Sequence, residues 1–220
     1  MDKSEALGRI EEDWLIAIMR GNTAEETEAV CDALVAGGVT LIEVPYTTPS
    51  AGRVIRNLKA RHGDRILISA GTVTTTDQAA EALECGAGAI VSPNLFPPVV
   101  EFAVRHGVVS MPGCVTPTEI ADALRLGADI IKLFPCYHLG PEYVGYMLGP
   151  FPGTRIAPAG KITLENMGEY RRAGAFAGIV GVTTEMGLLE AVRSRDLDRV
   201  ERVARLFVEK AREVRQDSPR

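Results

Sequence analysis

The 220-residue sequence has little of several features that define particular protein classes. It has four cysteines, Cys31, Cys85, Cys114 and Cys136, with no Cys-x-x-Cys pair, so reduced thiols are expected rather than a disulfide framework. Its three histidines do not cluster in the sequence, so no metal site is predicted. Metal-dependent chemistry and a small disulfide-bonded fold are therefore both disfavoured.

The sequence also lacks positive net charge and a long apolar run at its start. The formal net charge is -5, whereas a general nucleic-acid surface needs an excess of basic residues. Residues 1–14 carry acidic side chains, which is typical neither of a secretory signal nor of a membrane span. We therefore expect a cytoplasmic protein with a small-molecule partner and without a nucleic-acid or membrane partner.

What the sequence does contain is a recurring order of amphipathic stretch, glycine and short apolar run. Glycine is the usual residue just after a helix, where the backbone turns left-handed before the next strand. The short runs are rich in Val and Ile, which favours strands. Eight strands are predicted, at residues 15–19, 39–44, 66–70, 89–92, 108–111, 128–134, 154–157 and 176–181.

The alternation of these runs with helices predicts an α/β fold. Continuous apolar strands indicate a parallel sheet that is covered on both faces. Eight units in this length predict a single (β/α)8 TIM barrel domain over residues 1–220, with an extra N-terminal helix at 4–13 and an amphipathic helix at 196–215. A doubly wound open sheet is the alternative, although its GxGxxG fingerprint is absent from the sequence.

Two charged side chains interrupt the apolar strands. Lys132 lies in the run Ile130–Phe134, and Glu43 lies in the run Leu41–Pro45. If the faces that carry them point inward, both charges enter the barrel interior near the carboxyl ends of the strands, where barrel enzymes hold their catalytic groups. An amine in an apolar pocket loses its proton more readily and can attack a ketone to form an imine.

Other interpretations of the same two residues stay open. They can form a buried ion pair that only fills the interior, or the lysine can extend out of the barrel mouth. In the catalytic interpretation, Glu43 moves protons during dehydration and bond cleavage, although an ionised carboxylate beside Lys132 favours the ammonium form. Arg20, at the end of the first strand, is a candidate to bind a substrate carboxylate.

With these residues the sequence resembles the 2-keto-3-deoxy-6-phosphogluconate / 4-hydroxy-2-oxoglutarate (KDPG/KHG) aldolase family. The resemblance runs from about residue 15 to residue 191. The sequences of several motifs are similar to those of the branch that acts on the phosphogalactonate analogue. Six short segments carry it, namely Leu15–Arg20, Ile42–Pro45, Ala70–Val73, Ser92–Asn94, Pro112–Cys114 and Ile131–Pro135.

The resemblance implies a class I aldolase in which Lys132 forms the imine and Glu43 acts as acid and base. It implies that Thr72, Pro93 and Phe134 line the pyruvate end of the site. It also implies that the protein needs no external cofactor and forms a homotrimer.

Three departures from the family pattern concern substrate binding. Thr47 stands where some members carry an arginine that binds the carboxylate, so Arg20 or backbone amides are expected to take over that contact. The family commonly exposes backbone amides to phosphate at small residues after strands seven and eight. Here the matching pairs are Gly160–Lys161 and Gly181–Val182. Either Lys161 supplies a charge to an anion, or the substrate carries no phosphate.

We therefore predict a lyase that cleaves a 2-oxo-4-hydroxy acid to pyruvate and an aldehyde. The substrate is expected to be a 2-keto-3-deoxy sugar acid, with or without a 6-phosphate, or 4-hydroxy-2-oxoglutarate. A phosphosugar isomerase or epimerase on a similar barrel is the runner-up, and a non-catalytic barrel that binds sugar acids is a third alternative.

Overall fold

The computed structural model describes residues 1–216, in which parallel strands alternate with helices. The strands are β1 Leu15–Ile18, β2 Leu41–Pro45, β3 Leu67–Gly71, β4 Ala89–Val91, β5 Val109–Met111, β6 Gly113–Cys114, β7 Ile131–Leu133, β8 Ile156–Pro158 and β9 Gly178–Gly181. The helices are α1 Lys3–Asp13, α2 Ala24–Ala36, α3 Ala51–His62, α4 Thr76–Glu84, α5 Pro97–Arg105, α6 Pro117–Arg125, α7 Glu142–Leu148, α8 Met167–Arg172, α9 Leu189–Ser194 and α10 Leu197–Gln216.

Threonine is the N-cap residue of three of these helices. The hydroxyls of Thr23, Thr75 and Thr116 accept hydrogen bonds from backbone amides in the first turns of α2, α4 and α6. These bonds satisfy N–H groups that have no partner within the helix. Within residues 1–216, no helix is both long enough and apolar enough to cross a membrane.

The α/β class is as predicted, but the prediction of a closed eight-stranded TIM barrel is wrong. The described strands form a curled six-stranded parallel sheet in the order β5-β4-β3-β2-β1-β9 and a separate three-stranded parallel sheet in the order β6-β7-β8. An isolated bridge between Ala159 and Ile179 joins them beyond the ends of β8. The N-terminal helix is present as α1.

Pro112 marks the point where the chain leaves one sheet for the other. Before it, Met111 pairs with β4, and after it, Gly113 pairs with Lys132 in β7. Proline has no N–H to continue a ladder of hydrogen bonds. A side chain on Gly113 would overlap the backbone of Pro93, so the bend also requires a residue without a Cβ. The residues between the predicted strands five and six therefore form a ninth strand that the sequence pattern does not predict.

The interior of the curled sheets is apolar at one end and polar at the other. Leu41, Ile130 and Ile179 belong to a buried cluster inside the sheets, and Ile10 of α1 packs against that cluster. Glu43 and Lys132 follow two residues after Leu41 and Ile130, so they share the interior face, each in the middle of its strand and one step nearer its carboxyl end than the apolar cluster. Helix α1 thus covers the amino-terminal end, and the charges lie towards the other end.

Candidate active site

The ammonium nitrogen of Lys132 and the carboxylate of Glu43 meet inside the protein. Lys132 Nζ lies 3.3 Å from Glu43 Oε1, although β7 and β2 belong to different sheets. The side chains are only 7% and 1% exposed, respectively. Charged side chains are rarely buried so deeply unless they are paired, because an isolated buried charge costs several kcal/mol.

The second carboxylate oxygen of Glu43 is free for another contact. Glu43 Oε2 is buried and has no hydrogen-bond partner among residues 1–216. The ring of Phe134 is a second neighbour of the lysine, with its centre 5.4 Å from Lys132 Nζ. A buried oxygen without a partner is unfavourable unless a bound group supplies a donor, so Glu43 can receive a proton or a hydroxyl group there.

Gly71 makes room for the Glu43 carboxylate. A Cβ at position 71 would lie less than 3 Å from the Oε1, Cγ and Cδ atoms of Glu43. Gly71 pairs with Pro45 at the end of β3, and Thr72 follows it with a φ of +53°. The Ala70-Gly71-Thr72 segment therefore contributes two features to the site. Gly71 leaves space for the Glu43 carboxylate, and Thr72 lines the cavity.

A cavity of about 300 Å³ opens at the carboxyl ends of the strands around this pair, a volume within the range of small-molecule sites. Arg20, an exposed residue, lines this cavity, and its guanidinium has no hydrogen bond or ion pair within the described part of the chain. The cavity is lined by Ile18, Arg20, Glu43, Thr72, Pro93, Lys132, Phe134, Ala159, Gly160, Ile179, Gly181, Thr183, Thr184 and Glu185.

Three of the residues expected to bind substrate do not line the cavity. Thr47 is exposed in the turn after β2. Val182 is buried, and its amide donates to the carbonyl of Ile18. Lys161 places its Nζ 3.8 Å from the centre of the Tyr137 ring, which is a cation–π contact outside the cavity.

Glu185 is a cavity residue that the sequence reasoning missed. Its Oε1 accepts a hydrogen bond of 3.1 Å from the Lys161 amide, and its Oε2 accepts one of 2.9 Å from the Gly181 amide. The hydroxyl of Thr184 also donates to Oε2. The carboxylate thus joins the loops that follow β8 and β9. Its partners lie as far as 24 residues away, so only the fold reveals them.

Neither cysteine chemistry nor a protein-held metal cluster is evident around the site. Burial raises the pKa of the Cys114 thiol to about 12 and raises the pKa of the Cys136 thiol as well, so both stay protonated at neutral pH and are poor nucleophiles. The described residues contain no group of three or more His, Cys, Asp or Glu side chains placed to hold a metal ion. The ionisable groups of the cavity are therefore the amine of Lys132, the guanidinium of Arg20 and the carboxylates of Glu43 and Glu185.

Together, the parallel α/β fold and the buried amine beside a carboxylate define an enzyme site suited to imine chemistry. A family model, described as "Aldolase: KDPG and KHG aldolase", matches residues 8–203. The chain belongs to this family of aldolases, which are lyases. The family and the enzyme class predicted from the sequence are confirmed.

Curated relatives support the same assignment. The chain is 39% identical to the probable 2-dehydro-3-deoxy-6-phosphogalactonate aldolase of Rhizobium meliloti strain 1021, over 73% of this chain and 76% of the relative. It is 35% identical to the 2-dehydro-3-deoxy-6-phosphogalactonate aldolase of Escherichia coli K12, over 75% of this chain and 82% of the relative.

Solved structures share the fold. A native KDPGal structure superposes with a TM-score of 0.83 at 32% identity and covers 92% of this chain and 96% of its own. A cage designed by fusing symmetric oligomeric domains superposes with a TM-score of 0.81 at 30% identity, over 92% of this chain and 73% of its own. The prediction of an aldolase is thus consistent with both sequence and fold.

Proposed function

We propose that this aldolase cleaves a 2-keto-3-deoxy sugar acid to pyruvate and an aldehyde through an imine on Lys132. The observation that carries the proposal is the 3.3 Å contact between Lys132 Nζ and Glu43 Oε1 inside the cavity. A neutral amine is the nucleophile that the reaction needs. Passing the ammonium proton to Glu43 leaves an amine and a carboxylic acid, so neither group of the pair keeps a charge that burial penalises.

The reaction begins at the substrate ketone. The Lys132 amine attacks C2, and protons move from nitrogen to oxygen to give a carbinolamine. Glu43 donates a proton to the departing hydroxyl, so water leaves and an iminium forms. The Glu43 carboxylate then takes the proton of the C4 hydroxyl as the C3–C4 bond breaks. The electron pair of that bond forms the C2=C3 double bond while the C=N pair moves to the nitrogen, which yields an aldehyde and an enamine.

The same two residues complete the cycle. Glu43 returns its proton to the enamine carbon, which becomes the methyl group of pyruvate. Water then hydrolyses the iminium to release pyruvate and the free amine, and the Glu43 carboxylate takes up the proton that this step sets free. The second oxygen of Glu43, which lacks a partner within residues 1–216, is suited to these transfers because it is not held by another donor. One carboxylate therefore serves as acid and base in turn.

We propose that the carboxylate end of the substrate binds between Arg20, Thr72 and Pro93. Arg20 is suited to this contact because its guanidinium is unpaired in the described structure and faces the cavity. A guanidinium can donate two parallel hydrogen bonds to a carboxylate. Phe134 beside Lys132 supplies the apolar wall for the methyl end of pyruvate.

Oligomeric state and location are further parts of this proposal. We infer a homotrimer from the family resemblance, with support from the symmetric oligomeric domains of the designed cage. Sedimentation equilibrium that gives a mass three times that of the chain would agree with it, and a monomeric mass would contradict it. A single domain and a cytoplasmic location stay predictions from the sequence.

Borohydride trapping tests the imine directly. The protein is incubated with pyruvate and borohydride, and the reduced adduct is mapped by peptide mass spectrometry. We expect one carboxyethyl group on Lys132, no adduct in Lys132→Met, and normal labelling in Lys161→Met, which removes a lysine outside the cavity. An adduct only at another lysine, or none, would exclude the imine at Lys132. An adduct without cleavage of any 2-keto-3-deoxy acid would favour the non-catalytic binding protein.

A further inference from the structure

Part of the cavity is lined by Gly160, Gly181, Thr184 and Glu185, and we call this part the far end. It contains the carboxylate of Glu185. Glu185 accepts hydrogen bonds from the amides of Lys161 and Gly181 and from the hydroxyl of Thr184. The donors are Lys161 in the loop after β8, Gly181 at the end of β9 and Thr184 in the loop after it, and both carboxylate oxygens are engaged. The Glu185 side chain faces the same cavity as Lys132.

These amides form the kind of anion site that a phosphate group would need. Gly160 and Lys161 have φ values of +103° and +58°, a left-handed backbone that turns the Lys161 amide towards the cavity side of the loop. Backbone amides that point into such a cavity bind phosphates and carboxylates, and here two of them, from Lys161 and Gly181, converge on one anion. Here the anion is supplied by residue 185, so a substrate phosphate would have to displace a carboxylate tethered to the same loop.

The charge around the far end opposes such a displacement. Among the cavity-lining residues, the two cations are Arg20 and Lys132, and neither forms an ion pair with Glu185 in the described part of the chain. The Lys161 ammonium is directed to the Tyr137 ring and not to Glu185. A phosphate dianion beside the Glu185 carboxylate would therefore experience repulsion, and no cation among the described residues is paired with Glu185 to offset it.

Resting on the aldolase function proposed above, we propose that Glu185 determines substrate specificity by excluding a phosphate from the far end of the cavity. The preferred substrate is then an unphosphorylated 2-keto-3-deoxy sugar acid. Its terminal hydroxyl groups can donate hydrogen bonds to the Glu185 carboxylate, whereas a phosphate can only compete for the amides that Glu185 occupies. The relatives named for 6-phosphogalactonate would differ from this chain in that choice.

The experiment compares phosphorylated and unphosphorylated substrates in matched variants. Cleavage of 2-keto-3-deoxygalactonate, 2-keto-3-deoxygluconate and their 6-phosphates is measured for the wild type, Glu185→Gln and Glu190→Gln. Glu190 is exposed in α9 and does not line the cavity. Glu190→Gln therefore makes the same change of charge away from the site and serves as the control. Inorganic phosphate is tested as an inhibitor in each case.

We expect the wild type to prefer the unphosphorylated acids by at least tenfold in kcat/KM. Glu185→Gln should raise kcat/KM for the 6-phosphates at least tenfold and make the enzyme sensitive to inorganic phosphate, whereas Glu190→Gln should behave as the wild type. If Glu185→Gln loses its fold, as judged by circular dichroism, the wild-type preference and its insensitivity to phosphate still decide the question.

Equal use of both substrate classes by the wild type, or a preference for the 6-phosphates, would overturn the specificity proposal and leave the aldolase function intact. Absence of both the Lys132 adduct and any cleavage would instead contradict the function itself, and the specificity proposal would fall with it. An unchanged substrate ratio in a folded Glu185→Gln protein would also count against the role of Glu185.

Discussion

The carboxylate of Glu43 occupies the space in which a side chain of Gly71 would stand. We expect Gly71→Ala to push the carboxylate away from Lys132, because the added Cβ would lie within 3 Å of three Glu43 atoms. Displacement of a catalytic group by about 1 Å can lower the rate about a hundredfold, and overpacking costs about 1–3 kcal/mol of stability. Steady-state kinetics and urea unfolding measure the two effects.

Gly8→Ala is the control for that substitution. Gly8 lies exposed within α1, and a Cβ there would meet no described atom within 4 Å. Alanine is favoured over glycine inside a helix by up to about 1 kcal/mol, so this variant should be slightly more stable and fully active. Equal activity of the two alanine variants would contradict the role assigned to Gly71.

We expect the buried Lys132–Glu43 pair to give the folded protein no more stability than two apolar side chains would. Lys132→Met leaves Glu43 buried without its partner, which we expect to cost about 3–5 kcal/mol. The double variant Lys132→Met/Glu43→Met should recover that loss, because apolar side chains of similar length can replace a buried ion pair without penalty. Urea unfolding of the two single variants and the double variant gives the coupling free energy between the two side chains. If the losses of unfolding free energy in the single variants simply add in the double variant, the prediction is wrong.

Arg20→Met should weaken the binding of pyruvate. Loss of hydrogen bonds to a charged group costs about 1.5–3 kcal/mol, so the pyruvate concentration for half-maximal borohydride trapping should rise about ten- to a hundredfold. The trapping rate at saturation should change little, since Lys132 and Glu43 are unaltered. Arg53→Met is the control, because Arg53 pairs with Glu25 on the surface. Similar half-saturation values in both variants would exclude the Arg20 contact.

The capping box of α6 gives a pH-dependent prediction. Hydrogen bonds from the amides of Thr116 and Val115 lower the pKa of Glu119. A carboxylate whose pKa is lower in the folded state stabilises the protein above its unfolded pKa of about 4.3, and the benefit is lost as the pH falls through the folded pKa.

Glu119→Gln should therefore be less stable than the wild type at pH 7 by about 1 kcal/mol, or about 2–4 °C in Tm, and the difference should shrink at pH 3. Thermal unfolding at both pH values measures it. Glu11→Gln, an exposed substitution in α1, should show no such dependence. A difference that grows on acidification would contradict the cause assigned to Glu119.

The elements of the fold that depend on local pattern could be predicted from the sequence. Each of the eight predicted strands overlaps an observed strand, because apolar period and glycine position are local signals. Closure of the sheet could not be predicted in the same way. The pairing of residues 109–114 changes from β4 to β7 at Pro112, and that change depends on partners far away in the chain.

The site divides along a similar line. Lys132 and Glu43 could be predicted because a charge inside an apolar strand is visible in the sequence alone. Glu185 could not, because it is a polar residue in a polar loop, and its importance comes from the amide of Lys161. The expectation for Thr47 came from the resemblance, and its side chain lies on the surface after β2.

The two members of the buried pair stand on different sheets, Glu43 in the six-stranded sheet and Lys132 in the three-stranded one. Neither sheet alone carries the chemistry, so a folding intermediate that has completed only one of them is inert towards pyruvate. Labelling of Lys132 during refolding would then follow the docking of the sheets and not the appearance of secondary structure. Catalytic competence in this protein therefore requires both sheets to be in place.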